Sequence, residues 1–192
     1  MKGKQLIWSA FFLTVLLQWS IPVQMIWSAV KISNDGILYK FKTVPVDPGD
    51  PFRGKYITLN FGETHLKIPT DRKLSSGQNV YVSFSTDQFG FAKIEMIGEA
   101  KPQRLDYLAT TINFITEHND SATVHINYPF SRFYLDEYDA PAAENIYLES
   151  AADPRQTTYA LVRILNGSAV IKDVFVNDSS IKEMIRTRDG FR

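Results

Sequence analysis

The chain has 192 residues, with 21 Lys+Arg balancing 21 Asp+Glu, three His and no Cys. That length suits one domain or two small ones and argues against a multidomain enzyme. Without cysteine no disulfide or thiolate metal site can form, and three histidines leave few ways to build a zinc site. Formal neutrality speaks against a nucleic-acid surface, which needs clustered Lys and Arg.

The charges are unevenly laid out. No Asp, Glu, Lys or Arg lies between Lys4 and Lys31. Residues 6–30 thus form an apolar run of 25, against the ~20 that a helix needs to cross the hydrocarbon core. Trp8 and Trp27 stand about 28 Å apart on such a helix and suit the two membrane interfaces, whereas Trp19 does not. Ser20 and Pro22 are expected to kink its second half. A cleaved signal peptide would need small residues at −3 and −1. Ending at Ala29 puts Trp27 at −3, and ending at Ser28 puts Ile26 there. An uncleaved anchor over residues 1–30 is the expectation, in contact with lipid through residues 6–30. Its orientation is nearly a draw: Lys2 and Lys4 flank one side, and Lys31, Lys40 and Lys42 the other. Without Lys2 and Lys4, the remainder carries 19 Lys+Arg against 21 Asp+Glu and shows no basic stripe.

Short extended segments separated by turns follow. Residues 36–44 alternate as a strand does. Pro45, Pro48 and Pro51 make the next stretch a stiff loop. Residues 55–61 resume an extended run, with Tyr56, Thr58 and Asn60 on one face and Ile57, Leu59 and Phe61 on the other. Val80, Val82 and Phe84, then Ala92, Ile94 and Met96 beyond a Gly90 turn, predict a hairpin with one dry face. Residues 106–114 and 122–128 read as strands around a polar turn. Asp139 and Pro141 predict the start of a short helix over residues 142–148. A second hairpin, residues 159–165 and 169–176, is marked by Asn166-Gly167, the strongest short hairpin signal. A terminal helical turn is expected at residues 181–185.

A faint repeat runs through this part. Residues 53–57 align with 131–135 at an offset of 78, and the two hairpins align at 77 to 79. A duplicated unit would leave such a constant offset. The expectation is a mainly β (α+β) fold: an N-terminal transmembrane helix, then two β-rich lobes over residues 31–100 and 101–192, with one short helix.

Residues 44–61 resemble the signature of the GDYXXLXY family of bacterial membrane-anchored proteins. Gly54, Tyr56 and Leu59 match its motif, while Lys55 replaces its Asp and Phe61 its final Tyr. The upstream Pro-x-Asp-Pro, the later residues 132–137 and the Gly-x-Ala-x-Ile pattern at residues 167–171 are similar too. The resemblance implies an extracytoplasmic body on one membrane helix, which resolves the near-drawn charge count. It also implies that members often lie beside genes for multi-pass membrane proteins. It supplies no reaction.

Two readings of the motif stand. In one it is a corner that shapes the fold, with prolines fixing φ, Gly54 allowing a turn and Asp47 bonding its own loop. In the other Asp50, Arg53 and Tyr56 present a polar and aromatic patch to a partner, as Tyr and Arg do at interface hot spots. The candidate interaction set is Asp47, Asp50, Arg53, Gly54, Tyr56, Leu59, Phe61, Arg132, Tyr134 and Glu137. Catalytic groupings are weaker. Glu63 and His65 are only two groups. Glu117, His118, Asp120 and His125 gather at a turn, and Asp136 and Glu137 point to opposite faces of a strand. Ser75 and Ser76 beside Lys73 read as a loop. No phosphate-binding or dinucleotide fingerprint occurs, and no cofactor or metal is expected. The reading is a single-pass protein of the cytoplasmic membrane with a periplasmic body. It would serve as a non-catalytic accessory subunit of a multi-pass partner; the alternatives are an envelope hydrolase or a small-ligand sensor.

Overall fold

The computed structural model describes residues 2–45, 56–69, 74–104, 106–117 and 119–189. Helix α1, Lys2–Asp35, runs on through Ser20 and Pro22 without ending at either. Its C-terminal turn belongs to the body. Ile32 is buried, and the Gly36 N–H donates to the Ile32 carbonyl at 2.9 Å. The Arg163 guanidinium donates from one nitrogen to the carbonyls of Asn34, at 3.0 Å, and Gly36, at 2.7 Å. Helix ends leave their last carbonyls without partners, and this side chain supplies one. Gly36 alone separates α1 from the first strand, and a Cβ there would lie 2.5 Å from the Ile32 carbonyl oxygen. The helix enters the body without a spacer.

Among the described residues, two five-stranded sheets and a two-stranded ribbon make up the β structure, their strands paired antiparallel. The first sheet contains β1 (Ile37–Val44), β3 (Asn60–Phe61), β10 (Thr158–Leu165), β11 (Ser168–Val176) and β12 (Ser179–Ser180), in the order β12-β11-β10-β1-β3. The second contains β4 (His65–Pro69), β5 (Asn79–Thr86), β6 (Ala92–Gly98), β7 (Tyr107–Glu117) and β8 (Ser121–Asn127), in the order β4-β8-β7-β5-β6. The ribbon pairs β2 (Tyr56–Thr58) with β9 (Arg132–Tyr134). Each five-stranded sheet takes strands from both sides of residue 100, because β1 pairs with β10 and β5 with β7. Single bridges, Lys40 to Phe91 and Leu108 to Gly167, join the sheets.

Local sequence accounts for most of these elements. Asn166 and Gly167 both take positive φ, 50° and 88°, as the tight turn between β10 and β11 requires. The predicted strand at residues 106–114 continues to Glu117 before the chain turns. Helix α2, Ala140–Ala152, starts with Pro141 in its first turn, but Asp139 makes no side-chain capping bond. The terminal turn is a full helix, α3, Ile181–Asp189.

Met96 departs from the expected dry face. Ser83 pairs with Met96 but Phe84 with Ile94, so Glu95 is an extra residue that reverses the alternation. Ile97 is therefore buried and Met96 exposed. Hairpin β10–β11 has the same irregularity: Leu161 pairs with Asp173 and Val162 with Ile171, leaving Lys172 extra. The two bulges lie 77 to 78 residues apart, at the spacing of the sequence repeat.

The core forms between the sheets around Phe41 of β1. Its ring lies 5.8 Å from Phe61, 5.2 Å from Phe84, and 5.4 Å from both Tyr128 and Phe130. Two residues earlier, the Tyr39 hydroxyl donates to the buried Asp106 carboxylate at 2.6 Å, and Arg104 holds both oxygens of that carboxylate. The Arg104 hydrogen bonds lower the Asp106 pKa against the opposing effect of burial.

Because the folded pKa is depressed, this contribution to stability is present above the unfolded carboxylate value of ~4 and lost as pH falls through the folded one. Asp106→Asn should lower stability at neutral pH by about 1–3 kcal/mol and flatten the acid limb of a Tm-against-pH curve. Gly167→Ala should cost about 1–2 kcal/mol in denaturant unfolding. Its φ is positive, and a Cβ would stand 3.0 Å from the Tyr107 ring.

Candidate functional site

The ribbon shows how the alternating pattern at residues 56–61 is used. Ile57 faces Phe133 across the two strands, and both are buried. Their neighbours point outward: Tyr56 opposite Tyr134, and Thr58 opposite Arg132. The Leu59 N–H donates to the Ser131 carbonyl at 2.8 Å and extends the ribbon by one bond. On the outer side the Tyr56 and Tyr134 rings lie 5.6 Å apart at 60°, and the Arg132 guanidinium sits 4.9 Å from the centre of the Tyr56 ring. Tyr134 remains 64% exposed. An aromatic pair with a cation on its face is thus mounted on a rigid apolar base.

Beside it, an open groove of about 610 Å³ separates β9 from β11, lined by Phe130, Arg132, Tyr134, Ile171, Lys172 and Lys182 among others. Among the described residues, all three charged members of its lining are basic. Lys182, in the first turn of α3, places its ammonium 5.1 Å from the Phe133 ring. Lys172 is the bulge residue of β11. Neither lysine carried a sequence signal, since one belongs to a bulge and the other to a helix far along the chain. The turn before α2 borders a second groove that includes Asp136, Asp139 and Arg186, and there the charges are mixed.

Of the ten candidate residues, the structure gathers Tyr56, Arg132 and Tyr134 in this patch. Leu59 and Phe61 face the core, where they support the ribbon from behind. Glu137 is exposed in the turn before α2. Asp47, Asp50, Arg53 and Gly54 lie outside the described residues, as do His118 and Lys73.

The remaining polar groupings have local explanations. A Glu63 carboxylate oxygen accepts from the Ile94 N–H at 3.2 Å. His65 and His125 face each other across β4 and β8 with rings 5.2 Å apart, and Phe114 stacks on His125 at 4.1 Å. Burial and the neighbouring His65 lower the His125 pKa. Among the described residues no three His, Asp or Glu converge as metal ligands would.

A family model described as GDYXXLXY protein matches residues 18–174. The chain belongs to the GDYXXLXY family. Comparison with curated proteins and with solved structures gives no match. The GDYXXLXY match runs from the middle of α1 into β11, and so takes in both strands of the ribbon.

Stacking of Arg132 on Tyr56 should appear as a coupling of about 0.5–1 kcal/mol in a double-mutant cycle of Arg132→Ala and Tyr56→Leu, read by denaturant unfolding. Strictly additive effects would show that the two side chains ignore each other in solution.

Proposed function

We propose that this GDYXXLXY protein is a non-catalytic accessory subunit, held in the cytoplasmic membrane by α1. Its periplasmic body would bind a multi-pass membrane protein through the patch around Tyr134. Three features support the reading. First, α1 has a stretch, Ile7–Asp35, long and apolar enough to cross a bilayer, and the body leaves its apolar window uncovered. Second, the join at Ile32, Gly36 and Arg163 holds the body in a set direction relative to the helix. A partner in the same membrane would meet a surface already oriented, which lowers the entropy lost on docking.

The third feature carries the proposal. Tyr134 is largely exposed yet braced by Tyr56, with Arg132 pinned beside them. Tyrosine and arginine supply most interface hot spots, and ordering them beforehand removes part of the cost of binding. The basic groove alongside, with Lys172 and Lys182, favours a partner surface that presents carboxylates.

Crosslinking of the tagged full-length protein in its membrane, followed by mass spectrometry, tests this. One multi-pass protein should be recovered repeatedly, and Arg132→Ala with Tyr134→Ala should reduce its yield tenfold or more. A yield unchanged by both substitutions, with the chain still in the membrane, would remove the patch from the account. Recovery of no specific protein would remove the accessory role.

A further inference from the structure

The groove between β9 and β11 has strand edges for walls. The Leu59 N–H donates to the Ser131 carbonyl in the register of the ribbon, so these two residues form a hydrogen-bonded pair, and Ile57 and Phe133 form the next one. Arg132 and Tyr134 alternate with those pairs, and their backbone N–H and C=O groups point away from β2. Among the described residues no strand meets them there, because the ribbon holds β2 and β9 alone. In β11 the Asn166-Gly167 turn closes on Leu165 and Ser168, and counting from that pair turns Ala169 and Ile171 away from β10. The other neighbour of β11, β12, pairs only with Phe175 and Val176. Arg132, Tyr134, Ala169 and Ile171 all line the groove.

A free strand edge is a template for one more strand. The ribbon gains from such an addition, since two short strands alone are marginal. The surrounding side chains say which chain fits. Successive residues of an added strand point to opposite faces. On one face they meet Arg132 and Tyr134. On the other they meet the buried Phe133 and, across the groove, Ile171, which packs against the core. The charges of the lining are those of Arg132, Lys172 and Lys182, with no carboxylate among the described residues. A strand that alternates acidic and apolar residues suits both faces. Its carboxylate opposite Arg132 makes a favourable cross-strand pair, and the two lysines attract its other acidic residues. A free anion would use the cations and leave the strand edges and the apolar wall unused.

We infer that the groove takes an extended segment of a protein partner, alternating acidic and apolar residues, as a third strand on the free edge of β9. Main-chain hydrogen bonds to Arg132 and Tyr134 supply affinity, and the basic lining supplies selectivity. The inference rests on the reading of this patch as a docking surface, and the test separates the two.

The full-length protein, reconstituted in phosphatidylcholine nanodiscs, is titrated with a capped, fluorescein-labelled peptide, Glu-Val-Glu-Val-Glu-Val, and binding is read by anisotropy. A peptide with the same side chains but N-methylated backbone amides should bind at least about tenfold more weakly, and so should Lys-Val-Lys-Val-Lys-Val. Lys172→Glu with Lys182→Glu, both exposed side chains, should weaken the acidic peptide about tenfold and strengthen the basic one. Bound acidic peptide should slow amide hydrogen exchange at Arg132 and Tyr134. Equal binding of the N-methylated peptide, or unslowed exchange at those two amides, overturns the strand addition. Displacement of the peptide by millimolar inorganic phosphate shows a simple anion site and overturns it as well. Failure of the acidic peptide to bind overturns it too, and membrane crosslinking with Arg132→Ala and Tyr134→Ala then decides the docking reading by itself.

Discussion

Phe41 is the constraint on which the rest of the body depends. It is fully buried, and it packs edge-on against four aromatic rings: Phe61 from β3, Phe84 from β5, and Tyr128 and Phe130 from the segment after β8. Its own strand belongs to the first sheet, while three of those partners come from the second sheet or its continuation. Edge-to-face contacts of this kind contribute beyond simple area burial, and here the angles are 71° to 77°. Tyr39 adds a polar tie from the same strand to Asp106. Strand β1 is thus one place where the two sheets are fastened, and the turn at Gly167 against β7 is another.

The same strand begins one residue after α1 ends. A change in the direction of the helix must therefore move β1, and β1 cannot move without disturbing Phe41 and Tyr39. Arg163 strengthens this coupling, since a residue of the neighbouring strand β10 closes the helix end. A flexible tether would let the body sample many directions. This join ties the end of α1 to both β1 and β10.

Much of this was legible in the sequence, because the deciding signals were local. Asn166 and Gly167 dictate their turn through φ, and the alternation at residues 56–61 predicts which side chains face inward. What escaped depends on distant pairing. The extra residues Glu95 and Lys172 reverse an alternation that strict period-two reading carries straight on, so Met96 was expected inside and is found outside. The pairing of β1 with β10 joins residues more than a hundred apart, and no periodicity announces it. For the site, residue type pointed to Tyr56, Arg132 and Tyr134, and the alternation already set Leu59 and Phe61 on the opposite, inward face. Lys172 and Lys182 reach the groove only through the bulge and the placement of α3.

The ribbon also shows what the repeat spacing accomplishes. Tyr56 and Tyr134 are 78 residues apart and sit directly opposite each other, so two similar short segments meet as antiparallel neighbours. Antiparallel pairing of like segments puts like residues face to face at the centre and unlike ones toward the ends. In the described ribbon the tyrosine pair stands at one end and the buried contact of Ile57 with Phe133 at the middle. The other end sets Thr58 against Arg132, whose guanidinium folds back over Tyr56. The grooves that share Tyr134 set a basic surface against a mixed one.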